Sequence, residues 1–203
     1  MKLHWSPRSP FVRKVMIVAH ERGLVDRIAC VRTVAAMAKP HAELMQDNPL
    51  SKIPTLLLDD GRVLYDSPVI CEYLDAIGDA PKLLPAEPAA RFEALRRQAL
   101  GDGFLDMLVT LRNERERAHP SEVHMASTAV RTAAVLQSLE REAEALGAVG
   151  FGIGHVAIGC ALSYLDFRFA EDDWRKGHPH IARWHAAFAA RPSVQATEPV
   201  DDS

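Results

Sequence analysis

The turn between the first strand-like run and the first helical run carries two serines three positions apart, in the order Ser6-Pro7-Arg8-Ser9. A Cys-x-x-Cys pair at such a turn performs dithiol exchange, and serine at both positions excludes that reaction here. What remains is a hydroxyl at a helix N-terminus, where N–H groups and the helix dipole favour an anion. Such a place suits a thiolate that arrives with a substrate. The alternative is that Ser9 is only the N-cap of the helix.

Two further polar segments flank a predicted hairpin whose turn is Asp60-Gly61. Ser51-Lys52-Ile53-Pro54 precedes the hairpin, and Asp66-Ser67 follows it. Ser67-Pro68 repeats the serine–proline start of the first helix and predicts a second helix that ends at Gly78. A carboxylate bound at this helix N-terminus would be stabilised by its N–H groups. The alternative is that Asp66-Ser67 is only a capping pair.

The elements around these segments predict a small mixed sheet. Residues 2–5 and 28–34 have the pattern of strands, and a helix over residues 9–22 connects them. A strand–helix–strand unit requires parallel pairing, whereas the hairpin is antiparallel. The first part of the chain is therefore predicted to be an α/β domain.

The second part of the chain is predicted to be helical throughout. Residues 80–88 contain three prolines, and helical patterns then begin near residues 89, 122, 154 and 179. Of the 30 alanines, only 7 precede residue 80, which places the change in composition at the same point. We predict an α/β domain over residues 1–79, a linker over 80–88 and an all-helical domain over 89–203.

Composition excludes several classes of protein. The chain has 24 basic and 27 acidic residues, a net charge of −3, which argues against a partner bound through nucleic-acid phosphates. The sequence contains no run of about 18 apolar residues, so it does not predict a membrane-spanning helix. The three cysteines are too widely spaced for a disulfide framework or a zinc site, and the histidines lack metal-ligand spacing. We therefore expect a cytoplasmic protein without a metal.

Together, these motifs resemble the glutathione S-transferase family over nearly the whole chain. The resemblance rests on Ser9-Pro10-Phe11-Val12-Arg13, on the two segments around the hairpin, and on Ala190-Arg191-Pro192-Ser193-Val194. The Ser-Pro-Phe signature is also similar to that of the tau class. The resemblance implies a thioredoxin-like glutathione-binding domain followed by an all-helical domain, in a homodimer.

The resemblance also implies roles for the residues around the first turn and before the hairpin. Ser9 matches the serine whose hydroxyl donates a hydrogen bond to the glutathione sulfur. Pro54 matches a proline in a cis bond, which lets the Ile53 backbone pair with the cysteinyl part of glutathione. Lys52 matches a lysine that reaches the glycyl carboxylate; an ordinary solvated lysine is the alternative.

The residues after the hairpin match the part of the family's site that holds the γ-glutamyl group. Ser67 matches the serine that binds the γ-glutamyl carboxylate through its hydroxyl and backbone N–H. Asp66 stands where the family usually has glutamate or glutamine, and it would pair with the γ-glutamyl ammonium although it is one methylene shorter.

Two features of the helical half need a separate explanation. Gly152-Ile153-Gly154-His155 aligns with a position where the family has a Ser/Thr-x-x-Asp capping box, so both capping side chains are expected to be missing. Gly101-Asp102-Gly103 interrupts a strong helical pattern, which predicts tight packing against another helix or a partner subunit. Asp102 is a candidate contact with the other subunit's glutathione; a solvated or capping carboxylate is the alternative.

The resemblance implies a serine-type glutathione transferase that conjugates glutathione to a small, apolar electrophile, a detoxifying reaction. A glutathione-binding or scaffold protein without turnover is a second interpretation, suggested by Asp66 and the weakened cap. A thiol oxidoreductase of the cysteine-type relatives would need cysteine at position 9, where the chain has serine.

Overall fold

The structure is a computed structural model and describes residues 1–202. It divides into two compact units: Met1–Arg91 together with the described residues from Pro192, and Phe92–Arg191. The domain boundaries at residues 79–80 and 88–89 stay a prediction.

The first unit is built on a four-stranded mixed sheet in the order β2-β1-β3-β4. β1 pairs in parallel with β2, whereas β3 is antiparallel to both β1 and β4. The predicted mixed sheet is confirmed. The strands are β1 (Lys2–Trp5), β2 (Ala29–Arg32), β3 (Thr55–Leu57) and β4 (Val63–Leu64).

Two longer helices accompany the sheet, α1 (Pro10–Glu21) and α3 (Ser67–Ile77). The Val12 N–H donates to Ser9 Oγ at 3.3 Å, so Ser9 is the N-cap of α1 as predicted. After α1, Gly23 has a φ of +69°, a conformation that favours glycine and stops the helix. A short helix, α8 (Pro192–Gln195), also belongs to this unit.

A short helix that the sequence did not predict, α2 (Ala42–Asp47), lies between β2 and β3. Its N-cap is His41, whose Nδ1 accepts from the Leu44 N–H at 3.2 Å, so the usual Ser, Thr, Asp or Asn signal is absent. Asp47 at the other end lies 2.8 Å from Nε2 of His4, and this hydrogen bond lowers the pKa of Asp47. The bond attaches α2 to β1.

A buried ion pair links α1 to α3. Nε of Arg22, which is 1% exposed, lies 3.2 Å from Oδ1 of Asp75, which is 4% exposed. The same carboxylate accepts backbone N–H bonds from Leu83 and Leu84 at 2.7 and 3.3 Å. Arg22 also fills the space beside Gly78, where an added Cβ would lie 2.7 Å from Arg22 Cβ. Asp75 therefore attaches the segment after α3 to the α/β unit.

The second unit is helical, and its helices begin within two residues of the predicted positions. They are α4 (Pro88–Arg115), whose residues before Phe92 belong to the first unit, α5 (Glu122–Gly147), α6 (Ile153–Arg168) and α7 (Pro179–Ala189). The predicted fold class, an α/β domain followed by an all-helical domain, is confirmed. No helix among residues 1–202 is long and apolar enough to cross a membrane.

One of the two glycines in α4 makes the predicted close approach to another helix. A Cβ at Gly101 would lie 2.5 Å from the backbone carbon of Ala157, so α4 and α6 touch backbone to backbone there. A Cβ at Gly103 would meet nothing within 4 Å.

His155 corrects the expectation that both capping side chains of α6 are missing. Its Nδ1 accepts from the N–H of the N-cap residue Gly152 at 3.1 Å, so one of the two bonds of a capping box is present. Its Nε2 lies 2.9 Å from the Leu146 carbonyl and donates to it. Burial lowers the pKa of His155, which favours the neutral ring that these two bonds require. Only the cap side chain at Gly152 is absent.

Candidate functional site

One edge of the sheet gathers the predicted site residues. β1 and β3 are antiparallel with His4 opposite Thr55, so β1 ends where β3 begins. β4 is antiparallel to β3 and therefore ends at the same edge. The residues that this edge carries are Ser9, Lys52, Ile53, Pro54, Asp66 and Ser67.

Ser9 lies half-buried in the turn between β1 and α1. Its N–H donates to the Ser6 carbonyl at 3.2 Å, and its own carbonyl accepts from the Arg13 N–H at 2.9 Å. Because Ser9 Oγ accepts from the Val12 N–H, the hydroxyl can still donate its own proton. The hydroxyl can therefore cap α1 and donate to an anion at the same time, so the two interpretations of Ser9 are compatible.

The segment before β3 is fixed through the Lys52 carbonyl. This oxygen accepts from Thr55 Oγ1 at 2.8 Å and from Asn48 Nδ2 at 3.2 Å. The Ile53–Pro54 peptide bond is cis, as the resemblance implied. Pro54 is buried, whereas the Lys52 side chain is exposed. The fold thus holds the backbone and leaves the ammonium group to solvent.

Asn48 is a positioning residue, and in the sequence only the Asn48-Pro49 dipeptide, which is typical of a turn, marks it. It is 1% exposed, and besides the Lys52 carbonyl its Nδ2 contacts Thr55 Oγ1 at 2.9 Å. Its Oδ1 accepts from the Leu50 N–H at 3.0 Å. Ser51 then takes a left-handed φ of 52°, and its Oγ accepts from the His41 N–H at 2.8 Å. These bonds shape the chain that leads into Pro54.

The start of α3 differs from the prediction by one residue. Asp66, and not Ser67, is the N-cap, and its carboxylate makes no capping bond to the helix. Ser67 is the first residue of α3 and is 2% exposed. The first N–H groups of a helix have no acceptor within it. This helix start therefore offers N–H groups and the Ser67 hydroxyl, with the exposed Asp66 carboxylate beside them.

A Ser–His–Asp arrangement in the second unit does not form a nucleophilic relay. Ser163 Oγ lies 2.9 Å from His185 Nε2, but His185 Nδ1 is 3.9 Å from Asp166, too far for a hydrogen bond. Partial burial raises the pKa of Asp166, but the bonds from Arg175 and Trp174 outweigh it and lower the pKa. Ser163 and His185 are both buried in the core. The arrangement joins α6 and α7.

Comparisons with known proteins identify the family. The model of the glutathione S-transferase N-terminal domain matches residues 8–77, and the model of the C-terminal domain matches residues 122–187. The chain is 32% identical to the uncharacterised GST-like protein YibF of Escherichia coli, over 98% of each chain. The chain belongs to the glutathione S-transferase family, and the resemblance read from the sequence is confirmed.

Two solved structures are similar over almost the whole chain. A glutathione transferase family member from Pseudomonas fluorescens with bound glutathione has a TM-score of 0.94 and 41% identity, over 98% of each chain. A structure from the same species with bound S-(propanoic acid)-glutathione has a TM-score of 0.90 and 38% identity, over 98% of this chain and all of the other.

Proposed function

We propose that this protein is a serine-type glutathione transferase that conjugates the glutathione thiolate to a small electrophile, a detoxifying reaction. The observation that carries the proposal is the shared sheet edge, where the Ser9 turn, the Pro54 segment and the start of α3 lie at neighbouring strand ends. Family membership and the glutathione bound in a similar structure support it.

Ser9 has the catalytic role in this proposal. Its hydroxyl donates to the glutathione sulfur, and the start of α1 adds N–H groups and the positive end of the helix dipole. Both favour the thiolate over the thiol, whose ordinary pKa is about 8.5. The thiol proton leaves to solvent, and the thiolate attacks the electrophile. With an aryl chloride the S–C bond forms and chloride departs. Catalysis then comes from ionising and orienting the thiol.

The remaining site residues bind the tripeptide. Lys52 reaches the glycyl carboxylate, and the Ile53 backbone, fixed by Pro54, pairs with the cysteinyl part. Ser67 binds the γ-glutamyl carboxylate through its hydroxyl and N–H, a charge-assisted bond at a helix N-terminus. Asp66 pairs with the γ-glutamyl ammonium. The carboxylate of Asp66 is suited to this because it makes no bond to its own helix.

Replacing Ser9 tests this function. We expect Ser9→Ala to raise the apparent pKa of the bound thiol by about one to two units, because a hydrogen bond to a charged group contributes about 1.5–3 kcal/mol. The measurement is the pH dependence of kcat/KM with an activated aryl chloride. An unchanged pH profile would remove Ser9 from catalysis.

Ser121→Ala is the matched control for Ser9→Ala. Ser121 is also an N-cap, since its Oγ accepts from the His124 N–H at 3.3 Å, but it caps α5 in the helical unit. Both variants lose a cap, and only Ser9→Ala should alter the thiol.

A glutathione-binding or scaffold protein without turnover is the second candidate, and Asp66 favours it because its carboxylate is one methylene shorter than glutamate. The missing cap of α6, which also favoured it, is partly replaced by His155. Capture by glutathione without conjugation across a panel of neutral and acidic electrophiles would support this candidate. Acidic electrophiles belong in the panel because a similar structure holds glutathione with propanoic acid on its sulfur.

We also propose a cytoplasmic homodimer. The helical unit exposes large apolar side chains on α4 and α5: Phe92 at 72%, Val123 at 82% and Val130 at 71%. Burial of these side chains against a second copy would remove apolar surface from water. Light scattering should then give twice the 22.4 kDa chain mass.

A further inference from the structure

Two arginines hold a carboxylate from the C-terminal tail at the Ser9 turn. Nε of Arg8 lies 3.0 Å from Oδ1 of Asp202, and Nε of Arg32 lies 2.7 Å from Oδ2 of the same group. Asp201 adds a longer ion pair of 3.8 Å to Arg8. One carboxylate therefore bridges two guanidinium groups that come from different parts of the chain.

Backbone contacts hold Arg32 and the tail in place. Nη1 of Arg32 donates to the Thr33 carbonyl at 3.3 Å, which fixes its guanidinium at the end of β2. The Val200 N–H donates to the Pro7 carbonyl at 3.4 Å, so the tail touches the turn itself. The two arginine side chains are 24% and 34% exposed, so solvent and solutes can still reach them.

Arg8 lies in the same turn as Ser9, and Arg32 lies at the end of the neighbouring strand β2. Trp5 is opposite Arg32, so β1 and β2 end at the same sheet edge. In the strand order β2-β1-β3-β4, the glutathione residues come after β1, before β3 and after β4, whereas Arg32 ends β2 on the opposite side of β1 from β3. Arg8 directly precedes Ser9 in the turn. A group that extends from a sulfur at Ser9 toward the β2 side would therefore meet these two cations.

We propose that Arg8 and Arg32 form a carboxylate-binding site for the electrophile, and that Asp202 occupies this site as an internal ligand until an acidic electrophile displaces it. The inference rests on the proposed function, because it needs glutathione sulfur at Ser9. The chemical class of second substrate is an electrophile that bears a carboxylate a few bonds from its reactive carbon.

The two guanidinium groups of Arg8 and Arg32 are chemically suited to an electrophile that bears a carboxylate. Guanidinium groups bind carboxylates with charge-assisted hydrogen bonds, and here each arginine contacts a different oxygen of the Asp202 carboxylate through its Nε. The hydrogen bond from Arg32 lowers the pKa of Asp202, so the internal ligand is ionised at neutral pH. Since an exposed ion pair is weak, a soluble carboxylate can compete with the tail.

The test compares two ligands that differ only in this charge: glutathione carrying propanoic acid on its sulfur, and the corresponding propanamide. Calorimetry on the full chain gives the ratio of their affinities. In Asp202→Asn the ratio should rise about fivefold in favour of the acid, because its competitor is gone. In the double variant Arg8→Gln/Arg32→Gln, the preference for the acid should disappear.

Asp60→Asn is the matched control. It removes a carboxylate from an exposed pair with Arg62 in the hairpin turn, at the opposite edge of the sheet, and should leave the ratio unchanged. The inference would be overturned if Asp202→Asn left the ratio of acid to amide affinity unchanged. It would also be overturned if the double variant kept the wild-type preference for the acid. If neither ligand nor glutathione binds the wild-type chain, the proposed function itself fails. Circular dichroism of each variant verifies the fold.

Discussion

The two units use the same polar residue types for different purposes. In the α/β unit, Lys52 and Asp66 expose their side chains at one sheet edge, and Ser9 keeps a proton to donate. In the helical unit, Ser163 is buried and bonded to His185, and the Asp166 carboxylate accepts hydrogen bonds from Trp174 and Arg175. The difference teaches that burial and hydrogen-bond partners, and not residue type, separate a group that can bind a ligand from one that holds the fold.

The largest expected effect comes from Asp75, the residue of the α/β unit that most resembles the buried groups of the helical unit. Asp75→Ala leaves the buried Arg22 guanidinium without its carboxylate and should cost about 3–5 kcal/mol of unfolding free energy. Urea denaturation measures this loss of unfolding free energy. Asp60→Ala breaks an exposed pair with Arg62 and should cost less than about 1 kcal/mol. Equal losses in both variants would contradict this reading of burial.

The next effect separates binding from stability. Ser67→Ala should weaken glutathione binding by about 10- to 100-fold, since a hydrogen bond to a carboxylate contributes about 1.5–3 kcal/mol. Its stability should change little because Asp66, and not Ser67, is the N-cap. Ser121→Ala should do the reverse, with a loss of about 0.5–2 kcal/mol in stability and unchanged binding. Calorimetry gives the affinity for glutathione and denaturation gives the stability of both variants. A stability loss in Ser67→Ala as large as that in Ser121→Ala would contradict the prediction.

The paired glycines test packing inside the helical unit. Gly101→Ala places a Cβ 2.5 Å from the Ala157 backbone and should destabilise the chain by about 1–3 kcal/mol. The added Cβ of Gly103→Ala would contact no atom within 4 Å, so this variant should stabilise the chain by up to about 1 kcal/mol through helix propensity. Thermal unfolding compares the two. A stabilising Gly101→Ala would contradict the close contact of α4 with α6.

The smallest effect is a pH dependence that belongs to the helical unit. Burial lowers the pKa of His155 in the folded chain, so the unfolded chain binds the proton at higher pH. The stability contribution is therefore fully present above about pH 6.5, the ordinary histidine value, and is lost as the pH falls below it. Denaturation from pH 7.5 to pH 5 should show a steeper decline of the unfolding free energy in the wild type than in His155→Gln. Parallel curves would exclude His155 as the cause.

Local patterns predicted much of the α/β unit. The Ser9 cap, the end of the first helix near residue 22 and the Asp60-Gly61 hairpin each depend on a few consecutive residues, and all three are present. Helix α2 was missed because a histidine caps it, and Ser67 was placed one position off because serine and aspartate are both good caps.

The sequence by itself determined the order of the strands and the longer helices, the family and the candidate residues, because caps, turns and motifs consist of neighbouring positions. Only the tertiary structure decided which distant groups meet. Arg22 finds Asp75 across 53 residues, His155 reaches back to Leu146, and Asp202 reaches Arg8 and Arg32. Such pairs depend on how the chain folds back on itself, which periodicity and spacing do not encode. The same folding brings the separate motifs to one sheet edge, where together they can bind one ligand.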